Sequence, residues 1–148
     1  MAQNERFVSV SGQELADMKR LLLPDGTLNS ADAIDRSWVI GQIDDKSLFN
    51  KDAQNLAQAF REQNAKFFLV ARVPDLLSSR DCITAYRFGA TKEEIETFQG
   101  PDWFEANLED CLLFCLPISC AVLRPGEVDK TEFAGSAKFV ERATLGKG

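Results

Sequence analysis

Four cysteines are the residues whose type and spacing most directly suggest chemistry. Three of them form the series Cys111-x₃-Cys115-x₄-Cys120, and Cys82 precedes them in the chain. Four thiolates can hold a zinc ion when a fold brings them together. The spacing here is looser than the C-x-x-C pairs of zinc sites, and apolar residues fill the gaps between the cysteines. We therefore expect these thiols to pack in the core as small hydrophobic groups, with no bound metal or other cofactor.

The sequence lacks the residue types and motifs on which many catalytic sites depend. It contains no histidine, so one chain cannot build a Ser–His–Asp triad, a Cys–His pair, a histidine-containing zinc site or the zinc deaminase centre. It also contains neither G-x-G-x-x-G nor G-x-x-x-x-G-K-[ST], the loops that hold phosphate groups. These absences lower the expectation of catalysis, and we expect a protein that is not an enzyme.

Carboxylates and arginines leave one route to an enzyme or a small-ligand site open. Asp44 and Asp45 are adjacent, and paired carboxylates can bind a metal or act as acid and base. Arg72, Arg80 and Arg87 lie near a connection between strands, where arginines can hold a phosphate group. A polar turn and ordinary ion pairs account for these residues more simply. A small enzyme or ligand-binding domain with carboxylate and arginine chemistry is therefore the alternative.

Negative charge is concentrated in one third of the chain, between Thr91 and Glu132. This segment holds ten acidic and three basic residues, whereas the rest of the chain holds 13 acidic and 14 basic residues. Acids in the first turn of a helix interact favourably with the helix dipole, which explains several of them without any function. That explanation fits Glu109 and Asp110 less well, because they lie nearer the C-terminal end of their predicted helix. An acidic surface of this kind favours association with a cationic partner.

Two consecutive helices in this acidic segment carry the expected binding surface. Glu93 and Glu96 face away from Ile95 and Phe98, the apolar residues of the first helix. Trp103 lies beside the acids of the second helix and outside its apolar stripe, as an aromatic anchor for a partner would, although packing on a neighbouring loop would also explain it. The partner-binding residues that we predict are Glu93, Glu96, Asp102, Trp103, Glu105, Glu109 and Asp110.

Hydrophobic periodicity and turn residues indicate the elements that carry this surface. The predicted strands are 7–11, 38–43, 67–73, 82–88 and 118–124. The predicted helices are 12–22, a short one from Ser30 through Arg36, 51–63, about 92–99, and one that begins after Asp102 and has Phe104, Leu108, Cys111 and Cys115 on one face. Residues 127–143 fit either a strand or a helix. The mixture lacks regular β–α–β alternation, which favours an α+β fold with a mostly antiparallel sheet of four to five strands and three to four helices packed on it.

Length and composition indicate one domain that stays inside the cell. The chain has 148 residues, of which 45% are hydrophobic, enough for a single core. We expect one domain over residues 1–148, with 1–6 and 145–148 as flexible tails. We see no signal peptide, and the longest apolar run, 111–123, is too short to cross a bilayer. Because no export signal is evident, we expect a cytoplasmic protein with reduced cysteines. A net charge of −6 argues against nucleic acid or an anionic membrane as a partner.

Small size, one-sided acidity and the missing catalytic groups together predict an acidic protein-binding module that neutralises a basic protein. The most concrete form is a bacterial toxin-immunity protein or a similar inhibitor, which would cover the cationic active-site cleft of a nuclease-like toxin. Two alternatives stay open: the small enzyme or ligand-binding domain described above, and a self-assembling structural component.

Overall fold

Seven strands form one continuous sheet in which every neighbouring pair is antiparallel. The computed structural model describes residues 6–45, 47–100, 110–124 and 130–145. The strands are β1 (Phe7–Ser11), β2 (Val39–Ile43), β3 (Phe67–Arg72), β4 (Cys82–Gly89), β5 (Cys111–Phe114), β6 (Cys120–Arg124) and β7 (Thr131–Gly135). Their order in the sheet is β1-β4-β3-β5-β6-β7-β2. β1 and β2 are therefore the edges, and β5 lies at the centre.

Helices cover both faces of this sheet because its central strands are apolar on both sides. The helices in the described part of the chain are α1 (Gly12–Lys19), α2 (Ser30–Asp35), α3 (Lys51–Glu62), α4 (Val73–Leu77), α5 (Lys92–Thr97) and α6 (Ala137–Ala143). Along β3, Phe68 and Val70 belong to one core cluster and Leu69 and Ala71 to another, since successive side chains of a strand point to opposite faces. The first face, which carries Phe68, packs against α3, α5 and α6. The second face, which carries Leu69, packs against α1 and α4.

An α+β fold built on an antiparallel sheet is confirmed, but the numbers of elements are corrected. Within the described residues, the sheet has seven strands rather than four or five, and there are six helices rather than three or four. Two of the additional elements, β7 and α6, lie within residues 127–143, where the sequence pattern fits either a strand or a helix. A third, α4, lies in the connection between β3 and β4 and has a proline in its first turn, a position that a helix tolerates.

The largest correction concerns the residues that follow Asp110. The sequence predicts the end of a helix there, with Cys111 and Cys115 on one apolar face, whereas the structure has strand β5. Cys111 pairs with Arg72 on β3 and with Arg124 on β6. All four residues of β5 are buried. A strand that is buried on both faces shows no alternation of apolar and polar residues, so periodicity does not separate it from an apolar helix.

Candidate functional site

The acidic site is built on α5, a short helix whose start and inner face are both specified locally. The hydroxyl of Thr91 accepts a hydrogen bond from the backbone N–H of Glu94 at 3.1 Å, as a helix N-cap does. Ile95 and Phe98 are fully buried. The ring of Phe98 meets that of Phe68 edge-on at 6.0 Å. These contacts fix α5 on the first face of the sheet and leave its acidic residues on the outer side.

Glu94 is held by an arginine that the sequence analysis did not place in the site. The two terminal nitrogens of Arg6 donate to the two carboxylate oxygens of Glu94 at 2.7 and 3.1 Å, and the guanidinium lies over the ring of Phe88 at 4.6 Å. Glu94 also accepts a hydrogen bond from the backbone N–H of Gly89 at 3.2 Å. The hydrogen bonds from Arg6 and Gly89 lower the pKa of Glu94 below its ordinary value of 4.5, against the opposing effect of burial. This clamp joins the start of β1 to α5.

Replacing Glu94 by glutamine should destabilise the protein in a pH-dependent way. The folded-state pKa of Glu94 lies below its ordinary value of 4.5, so the ionised group stabilises the fold above about that pH and loses this contribution as the pH falls through the lowered pKa. We expect Glu94→Gln to lower the free energy of unfolding by about 1 kcal/mol at neutral pH, since partial exposure screens the ion pair. Urea unfolding between pH 3 and pH 7 measures the difference.

The control for this prediction is Glu93→Gln, which removes a neighbouring exposed carboxylate without touching the Arg6 clamp. Its unfolding free energy should follow that of the unmodified protein across the same pH range. If instead the unfolding free energies of Glu94→Gln and the unmodified protein differ by the same amount at every pH, the ionised clamp does not contribute to stability.

Glu96, one of the predicted partner contacts, is engaged within the chain. Its carboxylate accepts a hydrogen bond from the backbone N–H of Asn50 at 2.7 Å and pairs with Lys92 at 3.1 Å. These interactions, with the bond from Asn50 as the largest cause, lower the pKa of Glu96. Asn50 has a positive φ of 54° and directly precedes α3. Glu96 therefore holds α5 against the start of α3.

The other predicted contacts divide into exposed, half-buried and undescribed residues. Glu93 is exposed on the outer side of α5. Asp110 is half-buried at the start of β5, and its carbonyl accepts a hydrogen bond from the N–H of Val73 at 2.9 Å. Asp102, Trp103, Glu105 and Glu109 lie outside the described residues. Of the seven predicted contacts, the structure thus describes three, namely Glu93 and Glu96 on α5 and Asp110 immediately before β5.

The sheet carries a row of two arginines and a cysteine that the sequence analysis did not identify as a unit. Arg72 on β3, Cys111 on β5 and Arg124 on β6 are direct neighbours in the strand register. Arg124 is buried and its guanidinium lies 5.7 Å from the ring centre of Phe98. Burial raises the pKa of the Cys111 thiol to about 11, although Arg124 opposes the shift. The sequence signal for such a row is a single arginine at the end of an otherwise apolar strand, as at Arg72 and Arg124.

The register separates the arginines that the alternative site would use. Arg87 pairs with Leu69 and so lies on the second face, where its guanidinium is 5.1 Å from the ring centre of Phe67. Arg72, three residues after Leu69 in the same strand, points to the first face. Arg80 lies 3.7 Å from a carboxylate oxygen of Asp75 on α4. These arginines do not converge on one pocket.

Asp44 and Asp45 form a polar turn after β2. Asp44 accepts a hydrogen bond from the Gln42 side chain at 3.2 Å, and Asp45 accepts one from the N–H of Ser47 at 2.8 Å. A short polar side chain that binds the backbone two residues later is typical of a turn. The simpler interpretation of the two carboxylates thus accounts for their contacts.

Two open clefts in the described part of the chain have charged groups in their lining that are engaged within the chain. The first, of about 240 Å³, lies between α3 and α6, where Glu62 pairs with Arg142 at 3.1 Å. The second, of about 370 Å³, lies between α1 and the start of β4. There Lys19 donates to the carbonyl oxygens of Ser78 and Arg80 at 2.8 and 3.0 Å.

The cysteines occupy three separate places. Cys82 is exposed and its sulfur lies 2.9 Å from the hydroxyl of Ser9. Cys111 belongs to the arginine row, and the buried Cys115 and Cys120 lie together at the β5–β6 turn with their sulfurs 3.9 Å apart. Within the described ranges, no three cysteine, aspartate or glutamate side chains gather as a metal site.

Comparison of the chain with protein-family models, with curated proteins and with solved structures gives no match. Over the described residues, no helix is both long enough and apolar enough to cross a membrane.

Proposed function

We propose that this chain is an acidic protein-binding module that neutralises a basic protein, most concretely a bacterial toxin-immunity protein or a similar inhibitor. The observation that carries the proposal is the excess of seven negative charges between Thr91 and Glu132, in a chain whose net charge is −6. The surface would run from the outer side of α5 through residues 101–109 to Asp110. A cationic partner would be steered toward such a surface before any close contact forms.

The contacts of α5 support different roles for its acids. Glu93 is exposed on this helix and is available for direct contact with a partner. Glu94 pairs with Arg6, and Glu96 pairs with Lys92 and binds the backbone before α3, so both hold α5 in place and their charges are balanced by those cations at longer range. A surface whose shape is fixed before binding loses less conformational entropy when the partner docks.

Charge reversal on this surface tests the proposal. The partner is identified by co-purification from the native source, with the product of the adjacent gene as the first candidate, and titration calorimetry with the purified pair gives the dissociation constant. We expect Glu93→Lys combined with Glu105→Lys to raise that constant by about tenfold or more, because close charge pairs at interfaces contribute about 1.5 kcal/mol or more.

The matched control is Asp35→Lys combined with Glu141→Lys. Both residues are exposed, on α2 and α6, and their reversal changes the net charge by the same amount. We expect it to leave the dissociation constant within about twofold at physiological salt, where distant charges are screened. If the two double variants lose affinity for the partner equally, only the net charge of the protein matters for binding. If neither double variant loses affinity for a partner that is basic, the acidic segment is not the interface.

A further inference from the structure

The thiols of Cys115 and Cys120 face each other across the turn that joins β5 to β6. Phe114 pairs with Ala121 in the antiparallel register, so the next pair of positions toward the turn is Cys115 and Cys120. Their sulfur atoms are 3.9 Å apart. Both side chains are buried. Directly opposed positions on antiparallel strands bring side chains closer than any other cross-strand positions do.

This pair lies between a glycine of the next strand and a turn at the sheet's end. On its other side, Cys120 pairs with Gly135 of β7, which has no side chain. The turn between the cysteines is partly open to solvent, with Pro117 exposed and Leu116, Ile118 and Ser119 half-buried. The thiols are thus shielded in the folded turn but separated from solvent by only a few residues.

We propose that Cys115 and Cys120 are an oxidisable dithiol that forms an intramolecular disulfide when the protein meets a peroxide. In the first step, the sulfur of one cysteine attacks hydrogen peroxide, the O–O bond breaks, and a sulfenic acid and water form. In the second step, the other sulfur displaces the hydroxyl group, so that the S–S bond forms and a second water leaves. The two sulfurs are oxidised by two electrons, and one peroxide is reduced to two waters.

Burial sets the conditions of this reaction. The pKa of Cys120 lies well above its ordinary value because burial disfavours the thiolate, and the thiolate is the reactive form. The pair therefore reacts when the turn opens transiently, more slowly than the exposed Cys82. Once the disulfide has formed, it closes the β5–β6 hairpin covalently.

The test uses the full chain with Cys82→Ser, a substitution that removes the exposed thiol and leaves the pair intact. The protein is treated with hydrogen peroxide, quenched and analysed by intact mass and by thiol titration in denaturant. We expect the mass of the main product to fall by two hydrogens and the number of free thiols to fall from three to one. Peptide mapping should place the bond between Cys115 and Cys120, and dithiothreitol should restore both thiols.

A second measurement separates the disulfide from unspecific oxidation. The oxidised Cys82→Ser protein should unfold at a higher urea concentration than its reduced form, since a cross-link restricts the unfolded chain. Adding Cys120→Ser should abolish the loss of two hydrogens. Three free thiols after a treatment that fully oxidises Cys82 in the unmodified protein would overturn the proposal. So would a bond that maps to Cys111 or that joins two chains.

Discussion

Replacing Phe68 by alanine is expected to lower the free energy of unfolding by about 3–5 kcal/mol, the usual cost of removing a buried phenylalanine ring. Phe68 is fully buried in the middle of the first face. Its ring stacks on Phe60 of α3 at 5.2 Å and on Phe88 of β4 at 5.7 Å, and it meets Phe98 at 6.0 Å. One ring thus joins α3, β4 and the end of α5. A cavity there would loosen the support of the acidic surface as well as the core.

Phe67 provides the matched control because it is the same residue type one position earlier in the same strand. It points to the second face, is 53% exposed and has the guanidinium of Arg87 over its ring at 5.1 Å. Phe67→Ala should cost about 0.5–1 kcal/mol, the value of an exposed cation–π contact. Urea unfolding followed by circular dichroism measures both variants. If Phe68→Ala and Phe67→Ala lower the free energy of unfolding by similar amounts, the ring cluster on the first face is not the main support of the fold.

Local signals in the sequence are sufficient to predict α5 and β3. Thr91 followed by charged residues marks a helix start, and the spacing of Ile95 and Phe98 marks its inner face; the structure has both features. The residues of β3 are apolar in succession, which indicates a strand buried on both faces, and β3 lies inside the sheet. Such elements are specified by neighbours within a few residues, so one sequence is enough to find them.

β5 could not be separated from a helix by the same reasoning. It is only four residues long, all of them buried, and the spacing of Cys111 and Cys115 fits an apolar helix face as well. What decides the structure is pairing on both sides, with β3 about forty residues earlier and with β6 after the turn. Periodicity carries no information about such partners.

The roles of the acids depend on contacts that are even more distant in sequence. Arg6 and Glu94 are 88 residues apart, and Asn50 and Glu96 are 46 residues apart. The sequence shows the excess of negative charge in this segment, but it does not show which carboxylates are engaged within the chain. Counting charges therefore overstates the number of acids that are free to meet a partner, and only geometry separates Glu93 from Glu94 and Glu96.

Gly135→Ala is expected to lower the free energy of unfolding by about 1–3 kcal/mol, the usual cost of overpacking a core. Gly135 ends β7 where α6 and β6 approach it. A Cβ atom at this position would lie 2.9 Å from the ring atom Cδ2 of Phe139 and 3.2 Å from the Cβ of Cys120. Phe139 is buried and contacts Phe60 on α3, so its ring has little room to move. The residue must be glycine because α6 packs directly on the backbone of β7.

Gly89→Ala is the control that separates this crowding from the general effect of adding a methyl group to glycine. A Cβ at Gly89 would lie 3.6 Å from the Cγ of Glu94, an ordinary contact. Since alanine restricts the unfolded chain more than glycine does, Gly89→Ala should be neutral or should stabilise the protein by up to about 1 kcal/mol. Urea midpoints of the two variants should therefore shift in different directions or by clearly different amounts. If both midpoints fall equally, the close approach of α6 to β7 is not what requires glycine at position 135.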